Sequence, residues 1–322
     1  MNYRKLGRTG FEVSGIGHGL WGMSGWSGSS DQESLAALQL AVDLGCNFYD
    51  TAWAYGEGKS DGLLGEIMAR NPNQRLYAAS KIPPANDRWP ALPEYKYHDV
   101  FSPKHVFKYA DKIRQQLRTD TIDLLQFHVW DDSWTNEPDF RSTVEKLKHD
   151  GWIGYFGLSI NRWQAENGIK ALRTGLVDVV QVIYNIFDQS PEDELFPVCQ
   201  ELNVGVIARV PFDEGSLGGK MTLETRFPKD DWRSGYFGPE NLAKTIKRVD
   251  QLKEILPAEM TLPEMALRFI LSHPAVGTTI AGMRKLDHVR QNIASDSGPL
   301  DKPLLAELKK HRWDRTPQRW SD

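Results

Sequence analysis

Short apolar runs alternate with longer segments of helical period along the whole chain. Eight runs read as strands, over residues 13–19, 48–52, 76–82, 122–128, 155–160, 179–185, 204–211 and 277–283. Several are apolar at consecutive positions rather than at every second one, as parallel strands covered on both faces should be. Between them lie amphipathic segments with helix punctuation. Leu35, Leu38, Leu40 and Val42 fall in the segment 31–44, which Gly45 closes, and Ser102-Pro103 offers an N-cap and a first-turn proline for a helix running to Arg118. Comparable helices are expected over 139–150, 163–173 and 194–202, with Gly151 and Gly175 as stops for the first two. Eight strands interleaved with helices predict an α/β fold, a (β/α)8 TIM barrel.

Some segments exceed the repeat. Residues 1–13 read as an N-terminal β-hairpin turning at Arg8-Thr9-Gly10, a lid on the barrel bottom, and 303–313 as an extra C-terminal helix. The long segments 83–101 and 220–239 follow the third and seventh strands, which places them on the C-terminal face, where barrel enzymes build their sites. No low-complexity stretch or linker divides the chain, so one domain spanning 1–322 is expected.

Composition narrows the class. Of 322 residues 40% are hydrophobic and 25% charged, and the net charge of -4 lacks the basic footprint of a dedicated nucleic-acid binder. Cys46 and Cys199 stand alone, in no disulfide or zinc pattern. The N-terminus has no signal-peptide core, and no apolar run is long enough to span a membrane, so a cytoplasmic protein is expected. A homo-oligomer is left open.

Gly17-His18-Gly19-Leu20-Trp21-Gly22 matches the dinucleotide-binding G-x-G-x-x-G pattern, but no helix follows until near Asp31, so the context fails. More telling are the strand ends. Asp50 closes strand two, Tyr55 lies on the loop after it, Lys81 is near the end of strand three and His128 ends strand four. Singly, each has a bland reading as a cap, a salt-bridge partner or a core polar group. Closing the sheet brings all four to one rim, a set suited to proton transfer. A lysine ammonium lowers the pKa of a neighbouring tyrosine, an aspartate keeps the lysine charged, and a histidine orients a carbonyl. No Ser-His-Asp set or metal spacing is present.

At these residues the sequence resembles the aldo-keto reductase superfamily. Phe48-Tyr49-Asp50-Thr51-Ala52 with Tyr55-Gly56, Ser80-Lys81, and Asp123-Leu124-Leu125 with His128 carry the likeness. It implies a reductase of aldehydes or ketones, sugar-derived ones included, that transfers hydride from NADPH, with NADH as the alternative. Tyr55 would be the general acid, supported by Asp50, Lys81 and His128. The resemblance further implies that Ser159, Asn161 and Gln181 bind the nicotinamide carboxamide. Gly215-Ser216-Leu217-Gly218-Gly219-Lys220 would wrap the pyrophosphate through backbone N–H groups, and Gly282, Arg284, Gln291 and Asn292 would hold the adenosine end, Arg284 facing a 2′-phosphate.

The chain departs from the family after strand seven. There Arg209-Val210-Pro211-Phe212 replaces an aromatic run, so Arg209 would present its guanidinium plane to the nicotinamide in place of a ring, with Pro211 also among the cofactor-binding residues. His288 also stands where some members carry an arginine. Trp21, Trp53 and Trp130 are the expected walls of the pocket for a small carbonyl substrate, while Trp89 and Phe212 also fall on mouth loops. The competing functional class is a cofactor-binding regulatory subunit on the same barrel with little turnover.

Overall fold

A computed structural model describes every residue except 26, 27, 29, 230 and 316–322. The eight expected strands form a closed parallel barrel: β1 (Ile16–Gly19), β2 (Phe48–Asp50), β3 (Tyr77–Ile82), β4 (Ile122–Phe127), β5 (Ile153–Ser159), β6 (Val179–Ile183), β7 (Gly205–Arg209) and β8 (Val276–Gly282). Each pairs with its neighbours in sequence, and β8 closes on β1. Among the described residues no helix is long and apolar enough to cross a membrane.

The two-residue period of a strand sorts side chains into two layers. Phe48, Ala79, Leu124, Val179, Ile207 and Ile280 point inward and form one apolar layer inside the barrel. Their chain neighbours Tyr49, Ala78, Leu125, Val180, Val206 and Ala281 belong to the outer core against the helices. Counting two residues onward from the inner layer lands on Asp50, Lys81, Gln126, Gln181, Arg209 and Gly282. The same alternation that builds the floor therefore aims a polar ring at the C-terminal rim.

The hairpin pairs Tyr3–Lys5 antiparallel with Glu12–Ser14, and its Leu6 plugs the interior layer from the opposite end. Gly7, at φ +51°, has no room for a side chain: a Cβ would lie 2.2 Å from the Gly205 nitrogen. The run 13–19 is thus divided between hairpin and β1 at Gly15. Ser102 caps the helix Pro103–Leu117 as the sequence suggests, and Ser30 likewise caps Asp31–Asp43. The expected helix 163–173 shrinks to Ile169–Arg173, because Trp163 at φ +57° and Gly168 at φ +142° interrupt the helical backbone. Helices Lys59–Arg70, Pro239–Glu254, Leu262–Leu271 and Leu286–Ala294 complete the outer layer, and Lys302–Lys309 is the C-terminal helix.

Candidate active site

A buried charge chain occupies the rim. Lys81 Nζ donates to Asp50 Oδ1 at 2.6 Å and to the Thr51 carbonyl at 2.8 Å, and Gln181 Nε2 donates to Asp50 Oδ2 at 2.7 Å. Lys81 and Asp50 are withdrawn from solvent, so the ion pair is held by geometry rather than screened away. The β2 loop turns sharply through Gly56 (φ +71°) and Gly58 (φ +88°) and folds Tyr55 back over this pair. Lys81 Nζ then lies 5.4 Å from the Tyr55 ring centre, and the Tyr55 and His128 rings meet edge to face at 5.7 Å. Asp50, Tyr55, Lys81 and His128 therefore converge, as the strand ends suggested.

The electrostatics differ from the expectation in one respect. The Tyr55 phenol stands well above its ordinary value rather than below it: burial and then the nearby Asp50 charge hold it there, and Arg209 is a cation that opposes them. Asp50 pairs with Lys81 at contact distance. Burial lowers the Lys81 pKa while Asp50 supports the charged form. His128 is kept neutral, first by burial and then by Lys81 and Arg209, and its Nδ1 has no hydrogen-bond partner among the described residues. The site thus offers a protonated phenol beside a neutral imidazole.

Beneath the ion pair, Ser80 faces outward and donates to Asp61 Oδ1 at 2.7 Å, on helix Lys59–Arg70. Burial pushes the Asp61 carboxyl up from 3.8 to about 7, against the pull of Ser80 and Lys81. Because its folded-state pKa is the higher one, the folded protein holds the extra proton between these values, and stability falls as pH rises through that window. Asp61→Asn should remove this fall and exceed the wild type in urea resistance at pH 8, by an amount on the order of a few kcal/mol. Equal resistance at pH 8, with the fall retained, would show that Asp61 is not its source.

The tryptophans sort differently from the sequence reading. Trp130 is a correction: it has no exposed surface and packs against Phe140 (4.7 Å), Trp134 (5.8 Å) and Phe127 in the layer outside the barrel. Its side chain follows the outward parity of Phe127 rather than the inward parity of His128. Trp130→Ala is expected to cost about 3–5 kcal/mol of stability, measured by urea unfolding, through the cavity it leaves. Trp53 likewise packs outward, edge to face with Tyr109 at 5.6 Å and under the Lys112 ammonium at 4.9 Å. Trp21 is exposed at the mouth, on the turn after β1. Trp89 touches the catalytic cluster, its ring perpendicular to His128 at 4.5 Å. Its place in a loop without period gave the sequence no means of ranking it above the others.

On the opposite side, Ser159 ends β5 in register with Gln181. Gln181 reaches Asp50 in addition to standing at the expected nicotinamide position, a contact that no local motif encodes. Asn161 departs from expectation, since both of its amide donors are engaged by Ala91 and Gln164. Arg209, last residue of β7, donates to the Ile160 carbonyl at 3.0 Å, while its buried Nε has no partner among the described residues. Burial and the neighbouring Arg162 lower its pKa to about 10. Arg162 itself pairs with Glu214 at 2.6 Å, tying the β5 loop to the β7 loop. Pro211 is buried at the start of that loop.

The loop Asp213–Gly218 is a tight turn with Gly215 at φ +105°, followed by Gly219 at φ +74°. The N–H groups of Gly215, Leu217 and Gly219 are spent on the Phe212 and Ser216 carbonyls, and the Ser216 hydroxyl on Asp213. These three groups are engaged within the turn, and Leu217 is a core side chain. Arg315 anchors the turn by pairing with Asp213 at 2.8 Å, with Asp188, and with the Tyr236 hydroxyl at 2.7 Å. Beyond the turn the charge is basic: Lys220, Arg284 and Lys285 surround His288 closely enough to depress its pKa beyond the effect of burial. A Cβ built on Gly282 meets nothing within 4 Å, so the end of β8 is open. Gln291 is exposed and Asn292 buried on the adjoining helix Leu286–Ala294. An orphaned guanidinium nitrogen at the end of β7, an open end of β8 and the basic groups beyond it fit an anionic dinucleotide.

A model of the Aldo/keto reductase family matches residues 15–312. The chain belongs to this family. It is an NAD(P)H-dependent oxidoreductase, and the family's barrel accounts for the rim constellation. Its relatives include the uncharacterized oxidoreductase YqkF of Bacillus subtilis, 29% identical over 97% of this chain and 96% of that one. The NADH-specific methylglyoxal reductase of Escherichia coli is 25% identical over 94% and 97% of the two chains. The solved structure of the glycerol dehydrogenase of Gluconobacter oxydans has a TM-score of 0.79 and 25% identity, over 99% of this chain and 98% of that one.

Proposed function

We propose that this chain reduces small aldehydes or ketones, sugar-derived ones included, to alcohols with NADPH, and that Tyr55 is the general acid. The observation that carries this reading is the buried Gln181–Asp50–Lys81 chain lying under Tyr55 with neutral His128 beside it. The bound dihydronicotinamide supplies the hydride. Tyr55 gives its phenolic proton to the carbonyl oxygen, and His128, uncharged, directs that oxygen by hydrogen bonding without competing as an acid. Lys81 and Arg209 hold positive charge near the phenolate that results, which stabilises it as charge develops. Ser159 and Gln181 would hold the nicotinamide end, and Arg209 with Pro211 would face its ring. Lys220, Arg284, Gln291 and Asn292 would take the phosphates and adenosine.

Preference for NADPH over NADH follows from the basic group Lys220, Arg284 and Lys285, whose charges suit a 2′-phosphate. The test follows the loss of NADPH or NADH absorbance with a panel of small aldehydes, ketones and sugar-derived carbonyls. The reading expects turnover with a lower KM for NADPH than for NADH. Tight cofactor binding without turnover of any carbonyl would instead favour a regulatory subunit.

A further inference from the structure

The segment between β3 and helix Pro103–Leu117 is fastened to the barrel at three places. His105 Nε2 bonds the Pro83 carbonyl at 2.7 Å, Trp134 Nε1 donates to the Tyr95 carbonyl at 2.7 Å, and Asn161 holds Ala91 between them. The middle clasp is two-sided: Asn161 Nδ2 donates to the Ala91 carbonyl at 3.0 Å, and its Oδ1 accepts from the Ala91 N–H at 3.3 Å. The second Nδ2 hydrogen goes to Gln164 Oε1 at 2.8 Å. A carboxamide has two donor hydrogens, so neither remains for a ligand. Both partners are buried, and leaving Ala91 unpaired there carries a desolvation cost. Two residues before Ala91 stands Trp89, whose ring meets His128 at right angles.

We infer that Asn161 is a positioning residue of the substrate side, which sets Trp89 against His128 and so shapes the wall met by the carbonyl's substituent, rather than a ligand of the nicotinamide. The substrate class that this wall favours is aldehydes bearing a flat apolar or aromatic substituent, for which Trp89 supplies a face. The inference deepens the proposed reaction and rests on it for that substrate class. The clasp itself is independent of turnover.

Asn161→Ala, Trp89→Ala and the double variant test it, with three readouts. Hydrogen exchange over residues 83–96 should accelerate in Asn161→Ala, while the Kd for NADPH stays within about two-fold of wild type. The KM for an aromatic aldehyde should rise about ten-fold with kcat little changed, Trp89→Ala should match that rise, and the double variant should add nothing to it. Asn161→Asp is the second probe should the alanine variant not fold. It keeps the size and the oxygen facing the Ala91 N–H, loses both donors, and should loosen 83–96 in the same way. A Kd for NADPH weakened ten-fold or more, with exchange over 83–96 unchanged, would overturn the inference and return Asn161 to the cofactor. Exchange and cofactor affinity are read without substrate, so a protein that reduced no aldehyde would sink the proposed reaction while these two readouts still decided the role of Asn161.

Discussion

Tyr55→Phe should lower kcat for carbonyl reduction by about 10²–10⁴-fold, the range typical of a lost general acid, and leave NADPH affinity nearly unchanged. The substitution removes one oxygen and keeps the ring, so the edge contact with His128 persists. His128 is neutral, and Lys81 has its ammonium committed to Asp50 and the Thr51 carbonyl. Because burial and Asp50 hold the phenol above its ordinary pKa, the wild type stays protonated through neutral pH, and its reductive kcat should decline only on the alkaline side. Measuring kcat against pH with one aldehyde checks both statements. Turnover of the phenylalanine variant near the wild-type rate would remove Tyr55 from the chemistry.

Lys81→Met should be costly to the fold as well as to the reaction. It leaves the buried Asp50 carboxyl with the Gln181 amide as its remaining side-chain hydrogen bond among the described residues, and removing one partner of a buried pair costs about 3–5 kcal/mol. The double variant Asp50→Asn with Lys81→Met deletes both charges and should regain most of that stability in urea unfolding, while reduction remains lost. Activity and stability thus separate at this pair. If the double variant were no more stable than Lys81→Met alone, the loss would come from packing around the lysine stem rather than from an orphaned charge.

The barrel was legible because its signals are local and repeated. Strand runs, Ser102 as a cap, and glycine stops each depend on a few neighbouring residues. Strand ends were equally readable, which is why Asp50, Lys81 and His128 were found at one rim. Closeness in sequence explains the error over Trp130: two residues past His128 it was taken as a mouth residue, but the chain has left the strand there and the ring packs outward. The clasp of Asn161 on Ala91 spans 70 residues, and the reach of Gln181 to Asp50 spans 131, so neither leaves a trace in spacing. The internally consumed N–H groups of the Asp213–Gly218 turn were hidden for another reason. Small residues announce a tight bend without telling which way its donors point.

The grip of Arg315 on Asp188 and Asp213 makes the shape of the β7 turn depend on a residue more than a hundred positions further along the chain. A protein trimmed ahead of this arginine would keep its whole barrel and its proton donor, yet two buried acids would face each other across the β7 turn with no cation between them. Arg315 thus acts as a bolt across the turn, holding two loops in shape from outside the barrel.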